Sequence, residues 1–242
     1  MTNKKDFQEP FQTDKVLDIS LPEGSNEPIS IIIVHHERPE FLNICLQSLH
    51  IMSNLNNYEV IVVDNASKDP ETGPYLDVLE EEGIKVIRNK ENLYWSAAAN
   101  KGAAMANKDA KYLIFLHCDV VILNQAWIDI LINVAVANGS GMVGLEVAKY
   151  TINNKLSGFI PEHCVLITRE CWEDCGPWNE ELPIIGNAFV FTWRAKAKGY
   201  NPQAMTNPIV HHYKAFAFET PEEYNAAGEK FRTILPRLIQ TT

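Results

Sequence analysis

The sequence predicts an α/β protein with a doubly wound, mostly parallel sheet. Three observations carry that expectation. Apolar strand-like runs alternate with helix-like segments from Ile29 to Val147, each strand is a continuous apolar run, and the residues that follow the strands are polar or acidic. Continuous runs belong to strands covered on both faces, as in parallel sheets layered by helices. Ligands of such sheets bind outside the carboxyl ends of the strands, so the residues just past each strand are where chemistry is sought.

The first strand is Ile29 to Val34, followed by a helix opening near Pro39 with Phe41, Leu42, Cys45, Leu46 and Leu49 on one face. The unit repeats as strand Glu59 to Val63 with helix Pro74 to Glu82, then strand Lys85 to Ile87 with a helix from Ser96 to Asn107. A fourth strand, Lys111 to Leu116, leads into His117-Cys118-Asp119, and a helix from Gln125 to Ala137 precedes an apolar strand near Met142 to Val147. Beyond Tyr150 the alternation fades into loops, short strands and a helix from about Ala188 to Lys198, ended by Gly199. A last amphipathic helix is expected over Pro221 to Ile239.

At 242 residues the chain lies below the roughly 250–300 at which single cores divide, so residues 28–242 are read as one domain behind a polar, proline-punctuated lead-in, 1–27. A net charge of −10 argues against a nucleic-acid surface, which needs clustered Lys and Arg. No run approaches the roughly 20 apolar residues of a transmembrane helix, and Met1 to Asp14 has no apolar core of a secretory signal. Five cysteines, odd in number and without C-x-x-C spacing, suggest neither zinc cluster nor disulfide framework. A cytoplasmic location is expected, free or peripheral to a membrane.

Asp119, at the end of an apolar strand, can hold Mg²⁺ or Mn²⁺ against a diphosphate, or simply cap a helix. His211 and His212 follow Ile209-Val210; adjacent strand residues face opposite ways, so at most one joins a metal, and His211 is favoured. A histidine partner tilts the ion toward Mn²⁺. Asp64 can accept hydrogen bonds from a nucleobase or ribose, or cap the next helix. The small residues between Ser96 and Gly102 either admit a phosphate to a helix N-terminus or let the helix pack closely on the sheet.

In order and spacing, these segments resemble family 2 glycosyltransferases, especially the rhamnosyltransferase-like branch, over residues 29–213. Ile31-Ile32-Ile33-Val34-His35-His36-Glu37-Arg38 is similar to the family's first strand and "V-T-Y-N-R" nucleotide loop, and Val62-Val63-Asp64-Asn65-Ala66-Ser67 to its base-holding "VVDNAS". Asn92 to Gly102 resembles "N-x-G-x-x-x-x-x-N-x-G" with glycines changed to Trp or Ala. His117-Cys118-Asp119 falls where the family has D-x-D or N-x-D, with the last aspartate retained. Cys175 to Glu180, Trp193-Arg194, Gly199-Tyr200 and Val210-His211-His212 match later motifs.

The resemblance implies a GT-A fold, with a Rossmann-like nucleotide-sugar half over 28–120 and an acceptor half with the C-terminal helix over 121–242. It implies a UDP-, GDP- or TDP-linked sugar donor, a divalent metal held by Asp119 and His211, and a glycan or lipid-linked acceptor. Nucleotide contacts fall to His35, Glu37, Arg38, Asp64, Asn65, Asn92, Asn100 and His117; a homodimer is compatible.

One departure stands out. The family's Glu-Asp pair, whose aspartate deprotonates the acceptor, is Asn187-Ala188 here, and alanine cannot be a base. Glu180, Glu181 or Glu162 can replace it, a retaining route can dispense with it, or the domain has kept sugar-nucleotide binding without transfer. A nucleotidyltransferase or a dinucleotide-binding dehydrogenase is disfavoured, because no glycine-rich loop follows any strand.

Overall fold

The computed structural model describes residues 27–53, 58–152, 155–205, 209–214 and 221–238; apart from residue 27, the expected lead-in lies outside them. The first half follows the predicted alternation: β1 (Ile29–His35), α1 (Pro39–Met52), β2 (Tyr58–Asp64), α2 (Thr72–Glu81), β3 (Lys85–Arg88), α3 (Tyr94–Met105), β4 (Tyr112–His117), β5 (Val120–Ile122) and α4 (Trp127–Asn138). The second half comprises β6 (Met142–Gly144), β7 (Ala148–Ile152), β8 (Lys155–Phe159), β9 (Cys164–Thr168), α5 (Arg169–Cys175), α6 (Asn187–Ala197), β10 (Gln203–Ala204), β11 (Val210–His212) and α7 (Pro221–Leu238).

Seven strands form the main sheet in the order β10-β6-β9-β4-β1-β2-β3. Strands β1, β2, β3 and β4 pair in parallel, and β9 is antiparallel to both β4 and β6. The sheet is therefore mostly parallel, with one antiparallel strand inserted from the stretch expected to hold loops and short strands. The apolar run Cys164-Val165-Leu166-Ile167 is wholly buried, as a central strand requires. Its antiparallel direction brings the start of β9 to the carboxyl end of β4, with Cys164 opposite Leu116.

Side chains of β1 alternate between two cores: Ile29, Ile31 and Ile33 pack with Leu42, Leu46 and Leu49 of α1, whereas Ile32 and Val34 pack with Ala98, Ala99 and Ala103 of α3. The small residues of α3 serve this close approach. A Cβ on Gly102 would lie 2.4 Å from Ile32 Cγ2 and 3.0 Å from Val63 Cγ2. The alternative, an open helix N-terminus for phosphate, is not what the structure has. Ser96 N–H donates to Pro183 O at 3.0 Å and Ser96 Oγ to Leu182 O at 2.6 Å, so the loop before α6 sits on that terminus.

A third core joins α6 and α7 through Leu182, Phe189, Val190, Phe231 and Leu235. Gly186, at φ 90°, lies beneath the Phe231 ring, where an added Cβ would come within 2.2 Å of Phe231 Cδ2. Only glycine combines that backbone conformation with that contact.

Candidate active site

The carboxyl ends of β1, β2 and β4 open onto a cavity of about 270 Å³. Its walls include His36, Glu37, Arg38, Asn65, Asn92, Tyr94, Trp95, His117, Asp119, Glu162, His212 and Lys214. Five non-glycine residues have positive φ among the described residues: Glu37 (55°), Arg38 (56°), Ala66 (59°), Tyr94 (57°) and Lys214 (55°). Four line the cavity and Ala66 follows Asn65, which also lines it. Backbone strain gathered at one cleft marks a functional site.

The loops after β1 and β2 are tied to each other. Glu37 accepts the backbone N–H of Lys68 and Asp69 at 2.7 and 2.8 Å, and Ser67 Oγ accepts Glu37 N–H at 2.7 Å while donating to Asp64 Oδ1 at 2.5 Å. His36 Nδ1 donates to Asn65 O at 2.9 Å. Asn65, 2 % exposed, donates to Tyr94 O at 2.9 Å and accepts from Asn89 Nδ2 at 2.9 Å, so one buried amide joins the loops after β2 and β3. The family pattern's first glycine falls at Tyr94, which takes the positive φ itself, and its second is retained as Gly102; this corrects the reading of glycines changed to Trp or Ala.

The chain brings three metal-ligating side chains together: one ligand atom each from His117, Asp119 and His212 lies within 4.8 Å of the others. His212 Nε2 is 3.2 Å from Asp119 Oδ1, and His117 Nδ1 is 4.0 Å from the same oxygen. The expected histidine, His211, is turned away, exposed and edge-on to Tyr213. The reason is strand parity. Strand β11 pairs antiparallel with β5, setting His212 opposite buried Val120 and His211 opposite the half-buried Val121.

Burial first, then neighbouring His212, holds the His117 imidazole down at about 4 against the pull of Asp119. It is neutral at pH 7, and its buried Nε2 has no hydrogen-bond partner. Two imidazoles and one carboxylate fit a divalent ion that accepts nitrogen as well as oxygen ligands. His163 stacks on His212 with ring centroids 4.6 Å apart, and burial lowers its own value to about 3.

Of the other expected nucleotide residues, Asn92 lines the cavity and accepts Tyr94 N–H at 2.8 Å. Asp64 is buried behind the loop and bonded to Ser67. His35 is fully buried on the α1 side of β1, and Asn100 is bonded to the Trp178 backbone and to Glu180, so neither side chain lines the cavity. The two expected bases lie elsewhere: Glu180 accepts from Asn100 at 2.9 Å, and Glu181 forms an ion pair with Arg237 at 2.8 Å. Glu162 does line the cavity, and burial pushes its carboxyl up to about 7.

The mostly parallel sheet with its ligand cleft at the strand ends defines a GT-A domain. The chain belongs to glycosyl transferase family 2, whose model matches residues 30–187. It is 22 % identical over 233 residues to the O-antigen biosynthesis protein RfbC of Myxococcus xanthus, covering 81 % of this chain and 18 % of that protein. It is 32 % identical over 109 residues to the hyaluronan synthase of Pasteurella multocida, covering 44 % of this chain and 11 % of the synthase. The chain thus spans under a fifth of either relative's length.

Two solved structures share the fold. The mannosyltransferase PcManGT from Pyrobaculum calidifontis, in complex with GDP-Man and Mn²⁺, superposes with a TM-score of 0.64 at 12 % identity, over 81 % of this chain and 59 % of that one. S. aureus TarS superposes with a TM-score of 0.60 at 16 % identity, over 86 % and 39 %. No helix among the described residues is long and apolar enough to cross a membrane.

Proposed function

We propose that this family 2 domain transfers a sugar from a nucleotide-linked donor to a hydroxyl of a glycan or lipid-linked acceptor, with Mn²⁺ or Mg²⁺ at His117, Asp119 and His212. The observation that carries this reading is the His117–Asp119–His212 cluster in the wall of the cavity that the loops after β1 and β2 also line. A divalent ion there supplies charge neutralisation to the departing nucleoside diphosphate. Around it, Asn65 holds the loops after β2 and β3 in place, and Glu37 holds the loops after β1 and β2. The Mn²⁺ and GDP-Man of the similar mannosyltransferase complex support the same ligand class.

Calorimetric titration with UDP, GDP and TDP, with and without Mn²⁺, tests the reading. Metal-dependent binding of one nucleotide is expected, lost in Asp119→Ala; no binding of any nucleotide would refute it.

A second reading, a domain that binds sugar nucleotide without transferring, is favoured by Ala188. Asn187 before it gives its amide to Ser96 Oγ at 3.0 Å, so the start of α6 offers no acid. Release of nucleoside diphosphate from a sugar nucleotide separates the two readings.

A further inference from the structure

Transfer needs a group to take the acceptor's proton, and the usual position is Ala188. Among the described residues three carboxylates line the cavity: Glu37, Asp119 and Glu162. Both oxygens of Glu37 are held by the backbone N–H groups of Lys68 and Asp69, and Asp119 belongs to the histidine cluster. Glu162 remains. Because β9 runs antiparallel to β4, the link that enters β9 passes beside the end of β4, where His117 N–H donates to His163 O at 3.0 Å. Topology therefore delivers Glu162 to the wall that holds the cluster.

We infer that Glu162 is the general base of the transfer, replacing the missing acid at Ala188. The inference rests on the transfer reading above. The acceptor O–H proton passes to the Glu162 carboxylate as the acceptor oxygen bonds to the anomeric carbon. The bond from that carbon to the diphosphate oxygen breaks, and its electron pair leaves with the nucleoside diphosphate. Direct displacement of this kind inverts the anomeric configuration.

The test supplies GDP-mannose, UDP-glucose and TDP-glucose in turn, with Mn²⁺ and water as acceptor, and follows nucleoside diphosphate release and the configuration of the first sugar formed by NMR. The wild-type chain is expected to turn over one donor with inversion. Glu162→Gln should slow release by roughly 100-fold or more with nucleoside diphosphate affinity unchanged by calorimetry, and Glu162→Asp should recover part of the rate. A wild-type rate in Glu162→Gln, a retained configuration, or affinity lost together with turnover would overturn the assignment. A wild-type chain that releases nothing from any donor fails at the transfer reading instead, before Glu162 is altered.

Discussion

Tyr94 shows at single-residue scale how this site departs from an unstrained backbone. Its φ of 57° is fixed by Asn92 Oδ1 on its N–H and Asn65 Nδ2 on its carbonyl, while the side chain stays 42 % exposed at the cavity rim. A non-glycine residue in that region costs about 1 kcal/mol, and an exposed ring recovers little of it by burial. Tyr94→Gly is therefore expected to raise the thermal midpoint by a few degrees, equivalent to about 1 kcal/mol. An unchanged or lower midpoint by calorimetry would mean that the ring contributes more packing than its exposure indicates. Residue type and strand-end position pointed to Asp119 as a metal ligand, whereas His117 was read as a nucleotide contact and only the fold shows its ring beside Asp119. The choice between His211 and His212 was not legible, since Ile209 and Val210 are both apolar and buried and only the pairing of β11 with β5 shows which histidine faces Asp119. Glu162 was harder to rank above Glu180 and Glu181, because its neighbour in space is β4, more than forty positions back along the chain.

Helix α3 shows why some elements were readable and some were not. Its alanines and glycine supported two explanations, and the contact of Gly102 with Ile32 and Val63 decides for close packing. Gly102→Val should accordingly cost about 1–3 kcal/mol, seen as a lower midpoint in urea without a changed slope, since both obstructing groups belong to buried strands. An unaffected midpoint would show that α3 can lift from the sheet. Strands β1, β2 and β4 announced themselves as continuous apolar runs bounded by polar residues. Strand β9 carries the same signature in Cys164-Val165-Leu166-Ile167, but it lies after the regular alternation has ended, and nothing local tells an antiparallel insertion from a loop-borne strand. The short β11 owes its existence to pairing with β5, a partner nearly ninety residues earlier.

Across the whole molecule, burial lowers the pKa of several histidines and raises that of Glu162, and acid should expose the difference. His35 is fully buried on the α1 side of β1 with neither ring nitrogen partnered, and burial lowers its pKa from 6.5 to about 4 despite the opposing pull of Asp64. A folded-state value below the unfolded one means that the unfolded chain binds the proton first. His35 therefore contributes its full share of stability above about pH 6.5, and that share is lost as the pH falls toward 4. A shift of that size corresponds to something on the order of 3 kcal/mol. His117 and His163, lowered to about 4 and about 3, act in the same direction. Glu162, raised to about 7, acts in the opposite one, favouring the folded state more as the pH falls from 7 toward 4.5. Comparing thermal midpoints of the wild-type chain and His35→Leu at pH 7 and pH 5 isolates one group from the rest. The variant should lose less of its midpoint between the two pH values, because it has no imidazole to protonate on unfolding. Parallel losses would mean that His35 is protonated in the folded chain, which its burial disfavours.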